Sequence, residues 1–178
     1  MRFYRTIENT QIINSICDVI SNSFDDVLRP LDDNTVESSF ENDVERRDLV
    51  MFLKGKTWRD LKLDTLLDYK HDHTAVLSFL TPSGFQYFLP AFLIICIQNF
   101  EDADFIVDST FLKFEKPNDK NYERICFLSW LVSKLTQRQF NSVKQTAQAI
   151  EKIYGQDEFL SNAIVGVDWR INNCFKSS

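Results

Sequence analysis

One apolar segment near the middle of the chain has no charged residues. No Asp, Glu, Lys or Arg occurs between Asp72 and Glu101, whereas charges are scattered through almost every other part of the sequence. Thr81-Pro82 is typical of a helix start, because the hydroxyl can accept from an unpaired amide and proline lacks an N–H that the first turn does not use. The pattern predicts a buried helical centre.

Pro90 lies inside this segment. A proline within a helix removes one backbone hydrogen bond and crowds the carbonyl four residues earlier, which is that of Gln86. The sequence therefore predicts two helical pieces joined at a kink, the second over about 91–100. The unbroken apolar part, 87–97, is about half of the ~20 residues that a bilayer span requires, so we expect no membrane association.

Apolar residues recur at helical spacing on both sides of the centre. They predict an amphipathic helix over 9–24, a buried helix over 125–135 and a capped helix over 136–154, and Ser38-x-x-Glu41 is a capping box for a helix that ends at Gly55. Segments 105–114 and 163–171 fit either helix or strand. We favour helix for both, and for the second because a lone strand lacks a partner.

The expected fold is a single all-α domain of about seven helices around a central, proline-kinked, phenylalanine-rich helix pair. A chain of 178 residues suits one domain. The 16 Phe residues are read as core filling, since large rings are the main apolar contribution to packed interiors. Only four Gly occur, which excludes a glycine-rich phosphate-binding loop.

Two strings resemble a bacterial family of unknown function. They are Lys56-Thr-Trp-Arg-Asp-Leu and the run from His73 to Leu93, which is similar to a core pattern "sFLTPeaFrYyLPAyL"; a later "LT..Q..ai" pattern is similar to 135–150. Ser83-Gly84 departs from a Glu-Ala-like pair, and 125–135 is more apolar than the family pattern. The likeness covers roughly 57–150 and implies a small helical intracellular bacterial protein, with no activity to transfer.

This likeness suggests an internal division of the single domain, 1–178. Residues 1–56 form N-terminal helices outside the family-like part, 57–154 form the family-like core, and 155–178 form a C-terminal helix. The first nine residues show no apolar export signal. The four Cys residues are widely spaced, without zinc-site spacing, so we expect free thiols, a cytoplasmic location and no cofactor.

Charge narrows the classes of partner. The formal net charge of −6 argues against nucleic acid and anionic membranes and favours a protein with a basic surface. The predicted partner-binding residues are acidic: Asp25, Asp26, Asp32, Asp33, Glu37, Glu101, Asp102 and Asp104. The alternative reading of these residues is a solvated face that only maintains solubility.

His71-Asp72-His73 is the most site-like cluster, since two imidazoles near a carboxylate can bind a transition metal or transfer a proton. The two histidines are two positions apart, which places them on different sides of a helix, and the chain contains no other histidine. The alternative is a polar turn at a helix end. No Gly-x-Ser-x-Gly nucleophile motif is present.

These observations favour a non-enzymatic interaction protein, most concretely an immunity protein that neutralises a bacterial toxin by covering its basic cleft. Two alternatives stay open: a metal-binding or hydrolytic enzyme that uses His71 and His73, and an acidic nucleic-acid mimic of phage or defence systems.

Overall fold

The computed structural model describes residues 6–37, 44–117 and 122–175, and α-helices make up most of these ranges. Their order is α1 (Ile7–Ser23), α2 (Val44–Leu53), α3 (Leu63–Leu67), α4 (Pro82–Gln98), α5 (Phe100–Ala103), α6 (Phe105–Phe111), α7 (Tyr122–Leu131), α8 (Gln137–Tyr154) and α9 (Glu158–Cys174). Short 3-10 helices occur at Asp32–Asn34, Trp58–Asp60, Val76–Phe79 and Leu112–Phe114. The all-α prediction is confirmed.

The charge-free segment forms α4. Its first turn begins as predicted, because the Thr81 hydroxyl accepts a 3.0 Å hydrogen bond from the Gly84 amide and Pro82 follows the cap. The predicted break at Pro90 was wrong: α4 runs through it as one helix, so the centre is not a helix pair. An interior proline costs about 3 kcal/mol. Burial of a large apolar side chain contributes about 1.5–3 kcal/mol, and this helix buries several around Pro90.

Helices from distant parts of the chain cover α4. It contacts α1, α6, α8 and the turn Trp58–Asp60, while α8 also contacts α1 and α9. A series of ring contacts extends from α4 to the end of α9: Phe85 meets Phe114 at 6.1 Å between centroids, Phe114 meets Phe140 at 6.2 Å, and Phe140 meets Phe175 at 5.9 Å. The phenylalanine excess therefore contributes to one continuous core.

Gly84 permits a close approach of the N-terminal loop to α4. A Cβ at this position would lie 2.2 Å from the carbonyl oxygen of Thr35, well inside van der Waals contact. The same Thr35 oxygen accepts a 3.0 Å hydrogen bond from the Thr81 amide. This contact leaves no space for a side chain at position 84.

The prediction of a buried helix over 125–135 was wrong in extent and in burial. Helix α7 ends at Leu131, and only Leu128 and Leu131 of its residues are buried. Phe127 and Trp130 are each 39% exposed. Apolar residues occupy several faces of this helix, but the neighbouring elements cover only one, and the sequence pattern does not specify how many sides are covered.

Several local predictions are confirmed. Segment 105–114 is α6 followed by a 3-10 turn, and 163–171 lies within α9. Thr136 and Gln139 form the predicted capping box of α8, which ends at Gly155. The capping box proposed at 38–41 lies outside the described residues. Within the residues that the structure covers, no helix has both the length and the hydrophobicity to cross a membrane.

Lys113 connects two of the 3-10 turns. Its ammonium group donates a 2.7 Å hydrogen bond to the Ser78 hydroxyl, and the residue is only 8% exposed. Burial, with a smaller contribution from the charge of Arg124, lowers the pKa of Lys113 to about 8. The folded protein therefore disfavours the protonated lysine.

We predict that replacing Phe92 by Ala lowers the free energy of unfolding by about 3–5 kcal/mol, since the ring is 1% exposed and its loss leaves a cavity in the core. Urea denaturation measures the change. A loss below about 1 kcal/mol would contradict the central position assigned to α4.

From the lowered pKa of Lys113 we predict how the stability of the protein changes with pH. Its pKa is about 8 in the folded state, against 10.5 for an unperturbed lysine, so the unfolded chain binds more protons between these values and the contribution of Lys113 to stability rises with pH. Relative to Lys113→Met, the wild type should gain about 3 kcal/mol between pH 7 and pH 11. Denaturation of both proteins across this range tests it, with the exposed Lys116→Met as control. Parallel curves for wild type and Lys113→Met would refute the prediction.

Candidate binding surface

The eight predicted acidic residues fall into two groups at opposite ends of α4. Asp32 and Asp33 lie in a turn that contacts the N-terminal end of α4. The N-cap residue of α4, Thr81, donates a 2.6 Å hydrogen bond from its hydroxyl to the carbonyl of Asn34, which follows Asp33. Glu101 and Asp102 follow the C-terminal end of the same helix. A helix of 17 residues is about 25 Å long. The fold therefore does not join the two groups into one face.

Much of the first group is used within the protein. Arg138 donates a 2.8 Å hydrogen bond to Asp26 and approaches Asp25 at 3.5 Å. Asp32 pairs with Arg29, which also donates to the Lys56 carbonyl at 2.8 Å. The hydrogen bond from Arg29 holds the pKa of Asp32 below its usual value. These carboxylates attach the loop after α1 to its neighbours, and the arginines reduce their field.

The second group lies on α5 and at the start of α6, and α6 contacts both α5 and α9. Glu101, Asp102 and Asp104 are exposed, and they are joined by Asp108 from α6 and by Asp157 and Glu158 from the start of α9. Across the described residues, no Lys, Arg or His forms an ion pair with any of these six carboxylates. These six carboxylates therefore lack an ion-pair partner within the described part of the chain.

Asp104 and Asp157 are close enough to Asp108 to affect its pKa. Partial burial raises the pKa of Asp108, and the negative charges of Asp157 and Asp104 raise it further. Asp157 caps α9 by accepting from the amides of Phe159 at 2.9 Å and Leu160 at 3.1 Å. Asp104 forms no side-chain cap of α6, and it is the only described non-glycine residue with positive φ.

Two exposed aromatic rings accompany these acids. Phe105, next to Asp104, is 67% exposed, and Phe159, next to Glu158, is 39% exposed. Helices α6 and α9 contact each other, which brings the two segments together. We call this the acidic-aromatic surface: Glu101, Asp102, Asp104, Phe105, Asp108, Asp157, Glu158 and Phe159. Such a surface can attract cationic side chains and bury apolar ones.

Sequence reasoning identified three members of this surface and missed the other five. Phe105 lies in an apolar segment of the sequence, 105–107, although its ring is exposed. Asp157 carried a recognisable helix-cap signal, but the sequence contains no indication that it lies near Asp108. That proximity arises from the packing of α9 on α6.

The histidine cluster is divided between separate interactions. The Nε2 atom of His71 lies 2.8 Å from Oδ2 of Asp48 in α2, and Lys70 binds the same oxygen at 2.8 Å. The hydrogen bond from Lys70 is the main cause that lowers the pKa of Asp48, and the hydrogen bond from His71 is the next largest. His73 has a buried Nδ1 with no hydrogen-bond partner. No group of three or more His, Cys, Asp or Glu residues in the described ranges could hold a metal ion.

No curated protein and no solved structure matches the sequence significantly. A family model does match, over residues 12–159, and its description is a family of unknown function, DUF6714. The match starts within α1, upstream of the likeness described for 57–150, and includes all of α2 through α8. Because this match covers most of the chain, the protein belongs to the DUF6714 family of unknown function.

Proposed function

We propose that the protein is a non-enzymatic binding module that docks a basic protein partner on its acidic-aromatic surface. The observation that carries the proposal is the group of six carboxylates, without an internal counter-ion among the described residues, beside two exposed phenylalanine rings. The most concrete form of this function is an immunity protein that covers the basic cleft of a toxin.

Electrostatics supports a specific partner over simple solubility. A solubilising face spreads its charges in water, where they interact weakly. At this surface Asp108 is half-buried and its pKa is raised partly by two neighbouring acids, so the folded chain retains charge repulsion there. A lysine or arginine from a partner would relieve that repulsion. Opposite fields would also speed the encounter.

The rings supply the second part of the recognition. Aromatic residues are enriched at the centres of protein interfaces, where burial of a large ring makes a strong contribution to affinity. Phe105 and Phe159 can also hold a partner cation over a ring face, an interaction that strengthens when water is excluded. The partner we expect presents Lys or Arg next to apolar side chains.

The alternative functions have less support. A nucleic-acid mimic needs acids in a continuous row, whereas the two acidic groups lie at opposite ends of α4. An enzyme that uses His71 and His73 together needs the two imidazoles to share a site, whereas His71 pairs with Asp48 and the Nδ1 atom of His73 is buried without a hydrogen-bond partner.

The electrostatic part of the proposal is tested by removing three charges. The variant combines Glu101→Gln, Asp104→Asn and Glu158→Gln, since Asn tolerates the positive φ of residue 104. Its matched control removes three charges from the first group: Asp25→Asn, Asp26→Asn and Asp33→Asn. After capture of the natural partner from source cells, association of the purified proteins is followed over a salt series. The surface variant should associate at least about tenfold more slowly at low salt.

The control variant should associate at nearly the wild-type rate. The free energies of unfolding of both variants should lie within about 1 kcal/mol of the wild-type value. Equal effects of the two variants, or salt-independent association, would refute docking at this surface. For the immunity role, the captured partner is expressed in cells that lack the protein. Wild type, and not the surface variant, should then restore growth.

The aromatic part is tested by Phe105→Ala, with Leu28→Ala as control for loss of another exposed apolar side chain, 88% exposed. Phe105→Ala should weaken binding by more than about 1 kcal/mol, mainly through faster dissociation. Surface plasmon resonance with the purified partner measures both rates. An unchanged dissociation rate for Phe105→Ala would show that the ring is not part of the interface.

A further inference from the structure

Arg170, near the C-terminal end of α9, carries a buried positive charge. The residue is 3% exposed, and its Nη1 atom donates to the carbonyls of Phe114 at 2.8 Å and Glu115 at 2.9 Å. Its Nη2 atom is buried with no hydrogen-bond partner. Among the ion pairs of the described residues, none includes Arg170. Burial lowers its pKa, as expected for a desolvated cation.

A structural role accounts for only part of this arrangement. The bonds from Nη1 attach the chain after α6 to α9, and the backbones are so close that a Cβ on Gly166 would lie 1.9 Å from the Phe114 oxygen. A neutral amide could donate the same type of hydrogen bond. The positive charge and the free Nη2 group are not needed for that contact, and an arginine inside a protein cannot relieve burial by losing its proton.

Arg170 lines a cavity of about 160 Å³ between the end of α7, the start of α8 and the end of α9. Leu135, Phe140, Trp169 and Phe175 form much of the wall, and Ser129 and Ser133 add hydroxyl groups at its exposed side. An engineered apolar cavity of ~150 Å³ holds benzene. The space therefore accommodates a small ring or a short branched chain.

We propose that this cavity binds a small monocarboxylate with an apolar body, about the size of benzoate, with Arg170 as its counter-charge. One guanidinium balances one carboxylate, and a hydrogen bond to a charged group is stronger than a neutral one. The ring-lined wall suits an apolar body and disfavours a strongly hydrated phosphate dianion. This site lies at the opposite end of α9 from the acidic-aromatic surface and is independent of the proposed function.

Cys174 provides a local reporter, because it is an exposed thiol that lines the cavity. The intact protein is alkylated with iodoacetamide, a neutral reagent, and the modification of each cysteine is followed by mass spectrometry. Benzoate is compared with benzamide, which has a similar shape and no charge, at constant ionic strength. The exposed Cys126 on α7 does not line this cavity and serves as the internal control.

Benzoate should slow alkylation of Cys174 saturably, to about half at a concentration equal to its dissociation constant, and leave Cys126 unchanged. Benzamide should have no comparable effect. Equal protection by both compounds would show an apolar cavity without anion recognition, and absence of protection up to about 10 mM benzoate would exclude even a ~1 mM site. Either result would overturn the proposal.

Arg170→Gln, which retains a donor for the carbonyls, should abolish protection by benzoate if its circular dichroism remains native. Persistent protection would exclude Arg170 as the counter-charge. If this variant does not fold, Ser133→Phe tests whether the cavity is the binding site. Residue 133 is exposed and lines the cavity, so the larger side chain narrows the cavity and leaves the hydrogen bonds of Arg170 in place. Protection of Cys174 by benzoate at wild-type strength in Ser133→Phe would reject the cavity as the site.

Discussion

Burial of α4 is the constraint on which the other helices depend. This helix contains no charged residue, and Phe85, Phe88 and Phe92 on it are almost completely buried. An element of this kind is stable in water only when neighbours cover all its sides. Helices α1, α6 and α8 provide that cover, and the ring contacts from Phe85 to Phe175 extend the same core to the end of α9.

The position of α4 also determines where charge accumulates. Because its sides are covered, its two ends are where polar loops can lie. At the first end, Arg29 and Arg138 partly neutralise the acids. At the second end, the carboxylates of α5, α6 and the start of α9 have no such partners among the described residues. The two acidic groups therefore differ in field, although they look alike in sequence.

Two buried cations lie near the turn Leu112–Phe114, and they differ in chemistry. Lys113 is held by the Ser78 hydroxyl, and its pKa is lowered to about 8, so it can become neutral at mildly alkaline pH. Arg170 cannot become neutral in this way, because a guanidinium remains protonated throughout the physiological pH range. For Arg170, backbone carbonyls satisfy part of the group, and its Nη2 atom is buried without a hydrogen-bond partner.

Local sequence patterns were sufficient to predict the all-α class, the start of α4 at Thr81-Pro82, the capping box at Thr136 and the end of α8 at Gly155. These features depend on residues within one or two turns of each other, so local chemistry specifies them. Of the acidic-aromatic surface, the sequence indicated only Glu101, Asp102 and Asp104 as candidates.

Packing between distant parts of the chain is responsible for four features that local patterns did not predict: the continuity of α4 through Pro90, the exposure of α7, the proximity of Asp157 to Asp108 and the burial of Arg170. Each of these depends on which distant element packs against a residue. A helical pattern predicts which side chains share a face, but only the packing of the whole chain decides whether that face meets protein or water. The free energy of a proline, a charge or an aromatic ring depends strongly on that difference.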